Sequence, residues 1–128
     1  MMALTPVVSV TSLAARRSRR SAAVIAALRD HGLWPPVVPS VVLIECLTGD
    51  GSRDANENAL LKTCDVMERF PPSLARRASL LRTRARRGSA VDALVVAIAE
   101  PGGVVLTSDP VDLLSLAAQA RAVEIQVV

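Results

Sequence analysis

Gly88-Ser-Ala-Val-Asp-Ala-Leu-Val-Val-Ala-Ile-Ala-Glu-Pro-Gly-Gly-Val-Val-Leu-Thr-Ser-Asp-Pro-Val-Asp112 reads as a helix, a tight turn and a strand. The apolar run over residues 91–100 predicts the helix, and Pro101-Gly102-Gly103 stops it. Val104-Val105-Leu106 is short, apolar and β-branched, and Ser108-Asp109-Pro110 ends it. A wholly apolar strand beside an apolar helix points to a parallel sheet covered on both faces. Ligands of such sheets collect outside the carboxyl ends of the strands, where Asp109 falls. Asp92 falls in the first helical turn, where the positive end of the helix dipole favours a carboxylate.

Working outward, the residues before this stretch alternate between helix and strand signals. Residues 7–11 read as a strand or a helix start, and residues 21–30 as an amphipathic helix capped by Ser21 and stopped at Gly32. His31, the only histidine, sits at that helix end, where a cation is favoured. Residues 37–39 form a short strand, and Ser40 caps a helix over residues 41–47. Residues 58–64 are helical in character, and residues 65–70 read as an edge strand. After Pro71-Pro72, Ser73 caps an arginine-rich helix reaching Arg87, whose buried face is Leu74, Ala78, Leu81 and Ala85. A last helix over residues 115–120 and an alternating edge strand over 124–128 complete the chain. The alternation predicts one domain over residues 1–128, a three-layer α/β/α fold with a mainly parallel central sheet.

Composition narrows the function. At 128 residues and 51% apolar content the chain folds without needing a disulfide or structural metal. No apolar run is long enough to span a membrane, and the arginines at 16, 17, 19 and 20 follow the first apolar stretch instead of preceding it, unlike a signal peptide. A cytoplasmic location is the expectation, with Cys46 and Cys64 as small buried residues. Of the 15 basic residues, 14 are arginine, and seven of these lie between Arg69 and Gly88 with no acid among them. Arginine suits phosphate because its planar fork donates two parallel hydrogen bonds. The competing reading of that run is a solvated helix face.

Glu45 lies in an otherwise apolar helical run, so it stands at an edge or in a site, since burying a lone carboxylate is costly. With Asp92 and Asp109 it makes an oxygen-only set that selects a hard cation, Mg²⁺ or Mn²⁺. Nothing resembles a zinc site, a phosphate-cradling glycine loop or a serine triad around His31.

Taken together, Pro36-Val-Val-Pro-Ser-Val-Val-Leu-Ile-Glu45, Gly88-Ser-Ala-Val-Asp92-Ala, Val105-Leu-Thr-Ser-Asp109-Pro and the terminal strand resemble the PIN domain, in its VapC toxin branch. The resemblance implies Glu45, Asp92 and Asp109 as the second, third and fourth family acids, with Thr107 or Ser108 as the supporting hydroxyl. It implies metal-dependent cleavage of RNA by a toxin of a type II toxin-antitoxin system, a VapB-like antitoxin as partner, and a homodimer. Arg82, Arg86 and Arg87 would then meet the RNA. The family's first acid, an Asp ending the first strand, has no counterpart, because no acid precedes Asp30. Counting back from Glu45 puts Ala3 or Thr5 in its place. Three accounts stand open: a native strand outside the chain as given, a degenerate member, or a metal held by the remaining acids and water. A degenerate member would be a dimeric module that binds antitoxin or RNA without cutting.

Overall fold

The structure, a computed structural model, describes residues 7–9 and 19–127, with the backbone alone for 7–9, 19–22 and 24. Its elements run β1 (Val7–Ser9), α1 (Arg19–Asp30), β2 (Val37–Pro39), α2 (Val42–Cys46), α3 (Ala55–Leu61), β3 (Asp65–Met67), α4 (Pro72–Ala85), α5 (Ala90–Ala99), β4 (Val104–Thr107), α6 (Val111–Ala117) and β5 (Glu124–Val127). This is the order of helices and strands expected from the sequence.

The five strands form one sheet in the order β3-β2-β1-β4-β5. All four pairings are parallel, with Val8 opposite Val37 on one side and Val105 on the other. From β1 the chain builds outward through β2 and β3, then returns to the other side for β4 and β5. The β1/β4 boundary is therefore where the strand order reverses, the place where parallel sheets open a crevice at their carboxyl ends.

Strand β4 is apolar up to Thr107 because both its faces are covered. Val105 belongs to the main core with Ala78 and Leu81 of α4, five residues of α5, and Leu113 and Leu116 of α6. Its neighbour Leu106 points the opposite way and packs with Leu28 of α1, Trp34 and Leu60 of α3. Helix α5 buries Ala93, Val95, Val96, Ala97 and Ala99, which explains why its sequence lacks a polar stripe. The expected buried face of α4 holds, with Ala78 and Leu81 buried and Leu74 and Ala85 packed against the same core. Cys46 and Cys64 are free, half-buried and packed against the core, and burial pushes both thiols up.

Several boundaries differ from the sequence reading. Helix α1 begins at Arg19, so Ser21 lies within it and does not cap it. Neither Ser40 nor Ser73 caps a helix: Val41 and Pro71 hold those positions without a side-chain bond. In α4, Pro72 takes the first turn, where its fixed φ fits and its missing N–H is no loss. That helix ends at Ala85 and not Arg87, because Arg86 turns left-handed at φ 55°. Helix α3 starts earlier than residue 58, and α6 starts at Val111 instead of residue 115. Strand β3 stops at Met67, short of residue 70. Ala3 and Thr5 lie outside the described residues. By number they precede β1, which ends at Ser9. The next residue in the chain is Val10.

Ahead of α3, the Asp54 carboxylate accepts the N–H groups of Thr48 and Gly49 and the Thr48 hydroxyl at 2.9–3.0 Å. Burial works to raise its pKa, but these donors outweigh that and hold it below the usual carboxylate range. Asp54 therefore closes the loop between α2 and α3 from within.

Candidate acidic cleft

Helix α5 runs directly into β4, so its amino end stands over the carboxyl edge of the sheet. There the α5 start, the β4–α6 turn and α2 enclose a cleft of about 290 Å³. Glu45, Asp92, Asp109 and Asp112 line it, with Ser89, Thr107 and Ser108. The four sequence-expected residues, Glu45, Asp92, Asp109 and Thr107, thus border one space. Asp112 was not foreseen.

Each side chain has a local reason for its position. Ser89 caps α5: its hydroxyl accepts the Asp92 N–H at 3.0 Å, and the Asp92 carboxylate accepts the Ser89 N–H at 3.4 Å. Asp92 therefore holds the helix start as well as facing the cleft. Thr107 is buried, and its hydroxyl accepts the Asp109 N–H at 3.0 Å and donates to the Asp109 carbonyl at 3.2 Å. It ties down the turn that carries Asp109, which is itself exposed. Asp112 lies in the first turn of α6, where Arg87 reaches it at 3.5 Å. Glu45 is exposed on α2, at an edge and on the cleft together, which removes the burial cost its apolar surroundings suggested.

The arginines divide. Arg82 donates from Nε to the Gly88 carbonyl at 3.1 Å and so braces the turn between α4 and α5. Arg86 makes the left-handed exit of α4, and Arg87 pairs with Asp112 on the cleft wall. All three are exposed, and Arg87 comes directly to the acids. Arg77, by contrast, is taken up in a pair with Glu100.

Comparison with models of known protein families gives no match. No curated protein matches the chain.

The cleft's donors are all oxygen, from carboxylates on α2, α5, the β4–α6 turn and α6, and such a set fits a hard cation better than a soft one. Among the described residues no three of these groups close into a ready coordination cluster. Like charges around so small a space repel, and the Ser89 cap and Arg87 hold Asp92 and Asp112 in other bonds. Among the described residues no helix is long and apolar enough to cross a membrane.

Two features escaped the sequence reading. Asp112 was hidden by placing the α6 start too late; the signal was Pro110, which begins helices as readily as it ends strands. Ser89 was within the quoted stretch, and Ser89-Ala-Val-Asp92 has the spacing of a capping box with Asp in place of Glu.

Proposed function

We propose that the chain is a three-layer α/β/α PIN-like domain of the VapC toxin type, a metal-dependent endoribonuclease whose working site is the acidic cleft. The observation that carries this reading is the convergence of Glu45, Asp92 and Asp109 on one cleft beside the point where the strand order reverses. Asp92, Asp109 and Glu45 would hold Mg²⁺ or Mn²⁺, with Asp112 on the same wall. Such a cation supplies positive charge to a phosphodiester and its leaving oxygen when bound. Thr107 fixes the turn that presents Asp109, and Ser89 fixes the α5 start that presents Asp92. Arg82, Arg86 and Arg87 draw the RNA backbone toward the acids, so binding falls as salt rises. A VapB-like antitoxin and a second copy of the chain are its partners, and the cytoplasm is its compartment.

One observation favours a second reading, a non-cleaving PIN-like module that binds antitoxin or RNA. The chain carries no acid before Asp30, and the residue after β1 is Val10, so the β1 side of the crevice offers no carboxylate from the sequence. Calorimetry with Mn²⁺ separates the two. Binding by the chain that is lost in Asp92→Asn supports the enzyme. Binding that emerges only in Val10→Asp supports the disarmed module, and its absence from every variant overturns both uses of the cleft as a metal site.

A further inference from the structure

The far end of α5 carries a second feature of opposite charge. A hollow of about 490 Å³ opens there between the β3–α4 turn, the carboxyl end of α5 and the turn before β5. Arg69, Arg77 and Arg121 line it, against one acid, Glu100. That acid is already saturated: Arg77 grips it with two bonds of 2.7 Å, and the Arg121 backbone N–H donates to it at 2.7 Å. The guanidinium groups of Arg69 and Arg121 make no close ion pair among the described residues, although the charge of Arg121 helps lower the Glu100 carboxyl. The hollow is thus lined by Arg69 and Arg121, both outside any close ion pair, together with the apolar Met67, Leu74 and Ile98.

We infer that this hollow is a subsite for a nucleotide of the RNA strand. Arg69 and Arg121 hold its phosphate, and the apolar residues take the face of its base. Guanidinium forks match phosphate geometry, and bases of single strands lie on apolar or guanidinium surfaces. The subsite rests on the reading of the chain as an RNA-binding protein. Helix α5, of 10 residues, spans roughly 15 Å, which separates this phosphate from the acidic cleft at its other end. Helix α4 packs against α5 and carries Arg76, Arg82 and Arg84, all exposed. Arg84 shares the flank of α4 that carries Arg77, so a strand leaving the hollow along that flank passes it, while Arg82 lies on the other flank.

The test is binding of a short fluorescein-labelled single-stranded RNA to the full chain in EDTA, across a salt series. Arg69→Gln with Arg121→Gln weakens binding roughly tenfold. It also flattens the slope of log affinity against log salt by about 0.7, one phosphate contact. Both changes leave Arg77 and Glu100 in place. Unchanged affinity and slope overturn the subsite, as does a loss of affinity with no change of slope. Displacement of the RNA by a glutamate-rich peptide, or uridine monophosphate binding as tightly as the RNA, overturns it in favour of an acidic protein or a free nucleotide. A chain that binds through Arg69 and Arg121 but never cuts refutes the nuclease alone, and one that cuts without needing them refutes the subsite alone.

Discussion

Arg77 and Glu100 meet in a two-bonded pair, Nε to Oε1 and Nη2 to Oε2, both at 2.7 Å, with the Glu100 side chain 8% exposed. The pair joins the middle of α4 to the end of α5, and Glu100 also takes the backbone N–H of Arg121 ahead of β5. Three parts of the chain share one carboxylate. Glu100→Ala leaves the half-buried Arg77 guanidinium without its partner, and costs about 1.5–2 kcal/mol of stability. Urea unfolding of the two proteins at neutral pH measures it; a difference under about 0.5 kcal/mol would reduce the pair to a surface contact.

Acid should find the same group. The Arg77 bonds hold the Glu100 carboxyl below its ordinary range despite its burial. The Ser52 hydroxyl, with the Arg53 and Ser52 N–H groups, does so for Asp50. Asp54 is also lowered, its Thr48 and Gly49 donors prevailing over burial. A group whose folded pKa is depressed binds its proton later in the folded state than in the unfolded one. Its stabilisation is therefore full above the unfolded value, about 4, and is lost as pH falls through the folded value. Urea midpoints fall as pH is lowered from about 5 toward 2, and Glu100→Gln, which cannot titrate, shows a shallower fall. Parallel curves for the two proteins would remove Glu100 from the account.

Gly88 is held by space and by backbone. Its φ is +92°, and a Cβ there would sit 2.7 Å from Leu116 Cδ1 and 3.3 Å from its Cγ. Leu116 is fully buried, so any shift of its side chain disturbs the core around it. Gly88→Ala costs about 2–3 kcal/mol from the left-handed backbone and the overpacking together. Pairing it with Leu116→Val, which withdraws a methylene from the clash, recovers part of the Gly88→Ala loss in the double-mutant cycle. Strict additivity of the two changes would mean the clash is not the cause.

The sheet and α5 were legible because their signals are local. An apolar run bounded by Gly88-Ser89 and Pro101 can only be a buried helix or strand, and its length decides for helix. The alternation of elements gave the parallel sheet for the same reason. Helix starts were less legible, since Ser40 and Ser73 have the chemistry of a cap but not the place, which Val41 and Pro71 hold. The Arg77–Glu100 pair was out of reach: nothing in the arginine run distinguishes the one member that pairs with an acid on another helix. In the cleft, Glu45, Asp92 and Asp109 could be singled out by position, but not Asp92's second occupation as a cap or Arg87's hold on Asp112.

Thr107 ties the Asp109 turn through one hydroxyl, buried and bonded to both the N–H and the carbonyl of Asp109. Thr107→Val keeps the shape and removes the oxygen, which leaves the Asp109 N–H without this partner. The variant is less stable by about 1 kcal/mol. On the proposed function it also binds Mn²⁺ more weakly, while Thr107→Ser retains both properties. A Thr107→Val protein with unaltered stability would show the turn to be set by its backbone alone.

The most direct test of the acidic cleft is cleavage of single-stranded RNA by the purified chain with Mn²⁺, beside Asp109→Asn and Asp92→Asn. Asn at position 92 keeps an oxygen for the Ser89 cap, so the helix start survives while the charge goes. Expected are products from the parent chain that require Mn²⁺, vanish with EDTA, and are absent from both variants. Equal cleavage by the variants, or none by the parent at any Mn²⁺ concentration, would contradict the reading of this cleft as a nuclease site.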